Sequence, residues 1–106
     1  MNEIVWESIE DVPSQHVSEG ISVRQLWQGA ASARAMVVEI SPGAKWDGID
    51  THTANSEEVF VLSGVFNDGI RNYSAGTFIH HPIGSSHVPL SETGCRLFIF
   101  YPSKCS

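Results

Sequence analysis

"EEVFVLSGVFNDGIRNYSAGTFIHHPIGSSH", Glu57 to His87, carries the reading of the fold. Its first half is rich in Val, Phe and Leu, the composition of an extended segment. Asn67-Asp68-Gly69 then supplies the positive-φ positions that a tight hairpin needs. Val65 and Phe66 are therefore expected to pair back onto the segment around Ile70 to Tyr73. A further strand over "AGTFIHHP" and a rigid turn at Pro82 and Gly84 lead to His87. Period-two geometry gives Glu57 the parity of Val59 and Val61, so its carboxylate is expected on the buried side of the strand, where it needs a partner.

The flanks read the same way. "ISVRQLW" alternates Ile21, Val23, Gln25 and Trp27 with Ser22, Arg24 and Leu26, and "ARAMVVEI" is short and β-branched. Pro42, Gly43 and Gly48 break the chain before the next extended run. "TGCRLFIFYP" alternates Cys95, Leu97, Ile99 and Tyr101 with Arg96, Phe98 and Phe100. Helical periodicity is confined to a short turn within "WESIEDVP". Many short strands at close spacing predict an all-β barrel or sandwich, with residues 1–106 as one domain. Trp27, Trp46, Phe60, Phe66, Phe78, Phe98, Phe100 and Tyr101 are expected to fill the core and an interface. Apolar residues on both parities of the last strand imply that both its faces are covered, as a homodimer would do.

Composition narrows the function. With 42% hydrophobic and 17% charged residues the chain is expected to fold around a core, and six Lys plus Arg against twelve Asp plus Glu give a net charge of −6 without any basic cluster. That balance disfavours nucleic acid as a partner. No apolar run reaches bilayer length and the acidic N-terminus does not read as a signal peptide, so no membrane partner and a cytoplasmic location are expected. Cys95 and Cys105 are expected as free thiols.

Chemistry concentrates at "DTHTANSE", Asp50 to Glu57. Asp50 and His52 are two apart and share a face of an extended chain, and Glu57 follows a short loop. Imidazole and carboxylate together suit a divalent metal ion that offsets the cost of burying the carboxylate. A further ligand must come from elsewhere, and His87 is available. His80 and His81 are adjacent, so one faces the interior and one faces out; parity leaves open which, and the inward one is read as a hydrogen-bonded histidine at the barrel mouth, a donor supporting the site or an acid/base group.

Gly76, Pro82, Gly84 and His87 are spaced G-x5-P-x-G-x2-H, and His52, Glu57 and Gly64 follow H-x4-E-x6-G. These two motifs, about 43–64 and 76–87, resemble those of the cupin superfamily. "SEEVFVLSGVFNDG", "YSAGTFIHHPIGSSH" and "GCRLF" resemble more narrowly the cupin domain of ChrR-type anti-sigma factors. The resemblance implies a small jelly-roll β-barrel of the RmlC-like kind. It implies an interior metal ion held by position 50, His52, Glu57 and His87. Position 50, a histidine in the family, is Asp50 here, and Gly43 stands one residue early. With Asp50 as a ligand the site has two histidines and two carboxylates, which suits Fe or Mn, with Zn as the other choice.

Two functions follow as expectations. One is a non-haem, dioxygenase-type enzyme acting on a small chelating molecule, with Asp50 as a fourth ligand or a base. The other is a metal-containing ligand-sensing module; nothing in Met1 to Gly20 resembles the sigma-binding, zinc-holding region of the ChrR-type proteins. A metal-independent isomerase of sugar nucleotides is the weaker reading, because Arg24, Arg34, Arg71 and Arg96 are few for a pyrophosphate.

Overall fold

In the computed structural model, which describes residues 3–48, 50–51 (backbone only) and 55–102, eleven strands alternate with short turns and a single 3-10 turn, Ile9–Asp11. The strands are β1 Gln15–Ser18, β2 Ile21–Gln28, β3 Arg34–Ile40, β4 Ala44–Lys45, β5 Asp50–Thr51 and β6 Glu57–Asn67. They continue as β7 Asn72–Ser74, β8 Phe78–His81, β9 Ser86–His87, β10 Leu90–Ser91 and β11 Cys95–Tyr101. Every pairing is antiparallel. One sheet runs β1-β2-β3-β11-β6-β10-β4, with β7 and β8 also on β6, and β5 pairs with β9 apart from it. The result is a β-sheet curled around an interior, as in a jelly roll. Among the described residues no helix is long and apolar enough to cross a membrane.

Strand β6 is the organiser. Its start lies between β8 and β11, its end between β7 and β10, and the change of partners falls at a bulge opposite Arg96 and Leu97. The extra residue is Leu62, and Gly64, opposite Cys95, follows it: its φ is +75°, and a Cβ there would stand 2.0 Å from the Gly94 carbonyl oxygen, so a side chain is excluded by both conformation and space. A hairpin forms at Asn67–Gly69, with Val65, Phe66 and Asn67 opposite Ser74, Tyr73 and Asn72, but its loop runs over residues 68–71 and only Gly69 takes a positive φ, so it is wider than the tight turn expected. Asp68 holds it, its carboxylate accepting from Ile70 N, Arg71 N and Tyr73 Oη.

Registers across β3, β11, β6 and β8 stack the inward side chains in rows. Met36, Ile99, Val59 and Ile79 make one, and Val38, Leu97 and Val61 the next, with Ile40 and Cys95 beyond. These rows are the core, together with Ile21 and Phe66. The alternation expected of β2 holds only as far as Gln25, because a bulge at Leu26 turns Trp27 to the outer side, where it is exposed. On the outer face Glu39 joins Arg24 (2.9 Å) and Arg96 (3.0 Å). Arg24 also donates to the carbonyls of Ile9 and Val12, and Arg96 to Glu10, so this cluster straps the N-terminal segment to the sheet. Burial pushes the Glu39 carboxyl up, but hydrogen bonds and charge from Arg24 and Arg96 outweigh it and hold the group below the usual carboxylate range.

Candidate metal centre

The row that ends the sheet is polar. Arg34 on β3 stands opposite Tyr101 on β11, and Glu57 at the start of β6 stands opposite His81 at the end of β8. Glu57 is 1% exposed, a carboxyl group buried among core side chains. A carboxylate there survives only with polar partners. Tyr101 Oη donates to its Oε2 at 2.6 Å; His81 Nδ1 lies 3.0 Å and His87 Nε2 3.5 Å from its Oε1. The Arg34 guanidinium lies 4.4 Å over the Tyr101 ring, a cation–π contact that fixes the ring's plane.

His87 arrives from the other side. Pro82 to Ser85 form a turn closed by Ser85 N donating to the Pro82 carbonyl, with Gly84 at φ +91°, the positive value that the third residue of a type II turn requires. Strand β9 follows, and Val88 N donates to the carbonyl of Asp68, which ties the end of β9 to the hairpin. His87 is buried, edge-on to Phe66, with its ring centroid 4.3 Å from that of His81. Behind them burial raises the Asp68 carboxyl, yet hydrogen bonds from Tyr73 and from the Arg71 and Ile70 amides bring it below its ordinary value. Burial and Asp68 push the Tyr73 phenol up to about 12.

One carboxylate and two imidazoles thus converge, all buried, with one ligand atom from each of Glu57, His81 and His87 within 4.8 Å of the others. Three donors bound at about 2.1 Å to a common ion stand about 3–4 Å apart. The set is placed to hold a metal ion, and its nitrogen and oxygen chemistry suits Fe, Mn or Zn alike.

Of the residues expected here, Glu57 and His87 are brought together. His52 lies outside the described residues, as does Cys105, and Asp50 is described only by its backbone, which pairs in register with His87. The open choice between the adjacent histidines resolves in favour of His81. His80 faces out, its Nδ1 2.7 Å from Glu58 Oε1. Sequence reasoning gave Tyr101 no site role; its parity with Ile99 and Leu97 on β11 was the signal, and its register beside Glu57 is a long-range fact.

Glu57 and His87 of the cluster line a partly open cavity of about 210 Å³ within the curled sheet. Among the described residues Glu57, His87 and Tyr101 are its polar lining, and the other walls are apolar, among them Met36, Val38, Trp46 and Ile99.

The family described as ChrR Cupin-like domain matches residues 2–103. Among solved structures the chain is similar to one in the Rhodobacter sphaeroides complex of SigE with the anti-sigma ChrR, at 24% identity and a TM-score of 0.76, covering 89% of this chain and 51% of that one. It therefore spans about half the length of that protein. An RmlC-like cupin from Shewanella frigidimarina NCIMB 400 is similar over 92% of this chain and 90% of its own, with 21% identity and a TM-score of 0.78. KdgF from Halomonas sp. is similar over 95% and 94%, with 19% identity and a TM-score of 0.77. At these identities the likeness is one of fold. No curated protein matches the sequence.

Proposed function

Because this chain belongs to the ChrR cupin-like domain family, we propose that it is a small metal-binding cupin, working as a non-haem, dioxygenase-type centre on a small chelating molecule. The observation that carries this is the buried convergence of Glu57, His81 and His87 at the end of an otherwise apolar cavity. Glu57, His81 and His87 would hold Fe(II), which would supply the chemistry of oxygen and of a chelating substrate. The chain's own residues supply the rest. Glu57 gives the charge that retains a cation, Tyr101 engages Oε2 and leaves Oε1 toward the histidines, and the apolar rows keep water from the reacting end. Asp50 and His52 are proposed as the remaining wall, a reading supported by the register of Asp50 with His87.

Membership of the ChrR family favours a second reading, a ligand-sensing module whose bound metal is inert and whose signal a partner reads. Oxygen uptake separates the two. Fe(II)-loaded protein is expected to consume oxygen with a β-dicarbonyl or a thiol acid; metal-loaded protein that turns over neither class removes the enzyme reading and leaves the sensing one. We also propose that the chain forms a homodimer through its outer sheet face, where Phe60 and Phe78 are cross-strand neighbours, 40% and 61% exposed.

A further inference from the structure

The cavity's lining points past the metal to the shape of what enters. Among the described residues the interior walls beyond Glu57, His87 and Tyr101 are hydrocarbon, aromatic or thioether, and none of those lining residues is a Lys or Arg. In register, the polar end gives way to Met36 with Ile99 and Val59, then to Val23 with Val38 and Leu97. A charged or phosphorylated tail lying along those rows would be buried without a partner. The polar end behaves oppositely: a divalent ion beside one carboxylate and two neutral imidazoles keeps a residual positive charge, which favours an anionic head. The space within the sheet suits a small body: an apolar cavity of about 150 Å³ accepts benzene, and this partly open one offers about 210 Å³.

We infer that the cavity takes a compact molecule with an apolar body, about one ring or a short branched chain, and an anionic chelating head, and that it rejects molecules charged at the far end. The inference rests on the metal-site reading above and adds the substrate class to it.

The test uses Co(II)-loaded full chain, whose visible absorption reports the head group, titrated with acetohydroxamate, benzohydroxamate and 4-carboxybenzohydroxamate. Benzohydroxamate is expected to bind at least tenfold tighter than either of the others. Val38→Phe and Val23→Phe fill the apolar rows away from the cluster; they are expected to retain Co(II) and bring benzohydroxamate within twofold of acetohydroxamate. A benzohydroxamate preference below tenfold in the wild-type chain overturns the inference. So does a filled variant that keeps the preference. If neither variant retains Co(II), the wild-type series decides alone. Failure of the wild-type chain to take up Co(II) overturns the metal-site reading and the inference with it, whereas uptake without the preference overturns the inference only.

Discussion

Tyr101→Phe tests how the site is held. Phenylalanine keeps the ring that lies under Arg34, so the 4.4 Å cation–π stack survives and the change isolates the hydroxyl. What is lost is a 2.6 Å hydrogen bond to Oε2 of a carboxylate that is 1% exposed. A hydrogen bond to a charged group contributes about 1.5–3 kcal/mol, and its loss leaves a buried oxygen less well satisfied. If Glu57 is a ligand, the same loss loosens the carboxylate's orientation, and removing such a supporting group lowers metal affinity by about 10–100-fold. Urea unfolding of the metal-free chain measures the first effect and competition for Zn(II) with a chromophoric chelator measures the second. Stability reduced with Zn(II) affinity within twofold of wild type would refute the reasoning, because Tyr101 would then support the fold and not the site.

Gly64→Ala is expected to cost about 3 kcal/mol or more, combining left-handed strain with a clash against a backbone oxygen that cannot move aside; a chemical-denaturation midpoint close to wild type would show that the position tolerates a side chain. Glu39 has its carboxyl held low in the fold, so its stabilisation is complete above the ordinary glutamate value of about 4.3 and is lost as pH falls through the folded value. Glu39→Gln should therefore be less stable by about 1 kcal/mol at neutral pH and show a flatter stability profile below about pH 4.3, while a profile parallel to wild type would remove Glu39 from the acid response. Sedimentation should show the wild-type chain as a dimer and Phe60→Ser with Phe78→Ser as a monomer, whereas identical sedimentation of both would exclude the outer aromatic face as the interface.

Features set by local pattern were legible in the sequence. Glu57 shares its strand parity with Val59 and Val61, and all three are buried; Asn67-Asp68-Gly69 marks where the hairpin falls, and Pro82 with Gly84 makes the turn that delivers His87. Features set by pairing across the sheet were not. His80 and His81 follow Phe78 and Ile79, apolar on both parities, so only the register of β8 with Glu57 tells which histidine faces inward. The strap formed by Arg24, Glu39 and Arg96 joins residues 15 and 57 positions apart, and no local spacing points to it. The bulge at Leu26 inserts one residue into an alternating run and reverses Trp27, which alternation alone reads as inward.

The most direct measurement is metal content after loading with Fe(II), Mn(II) and Zn(II) in turn, on the wild-type chain beside Glu57→Gln, His81→Ala and His87→Ala. Close to one ion per chain is expected for at least one metal, with retention lost in Glu57→Gln and His87→Ala and weakened in His81→Ala. A wild-type chain that retains none of the three, or variants that retain as much as the wild type, would contradict a metal centre at these residues.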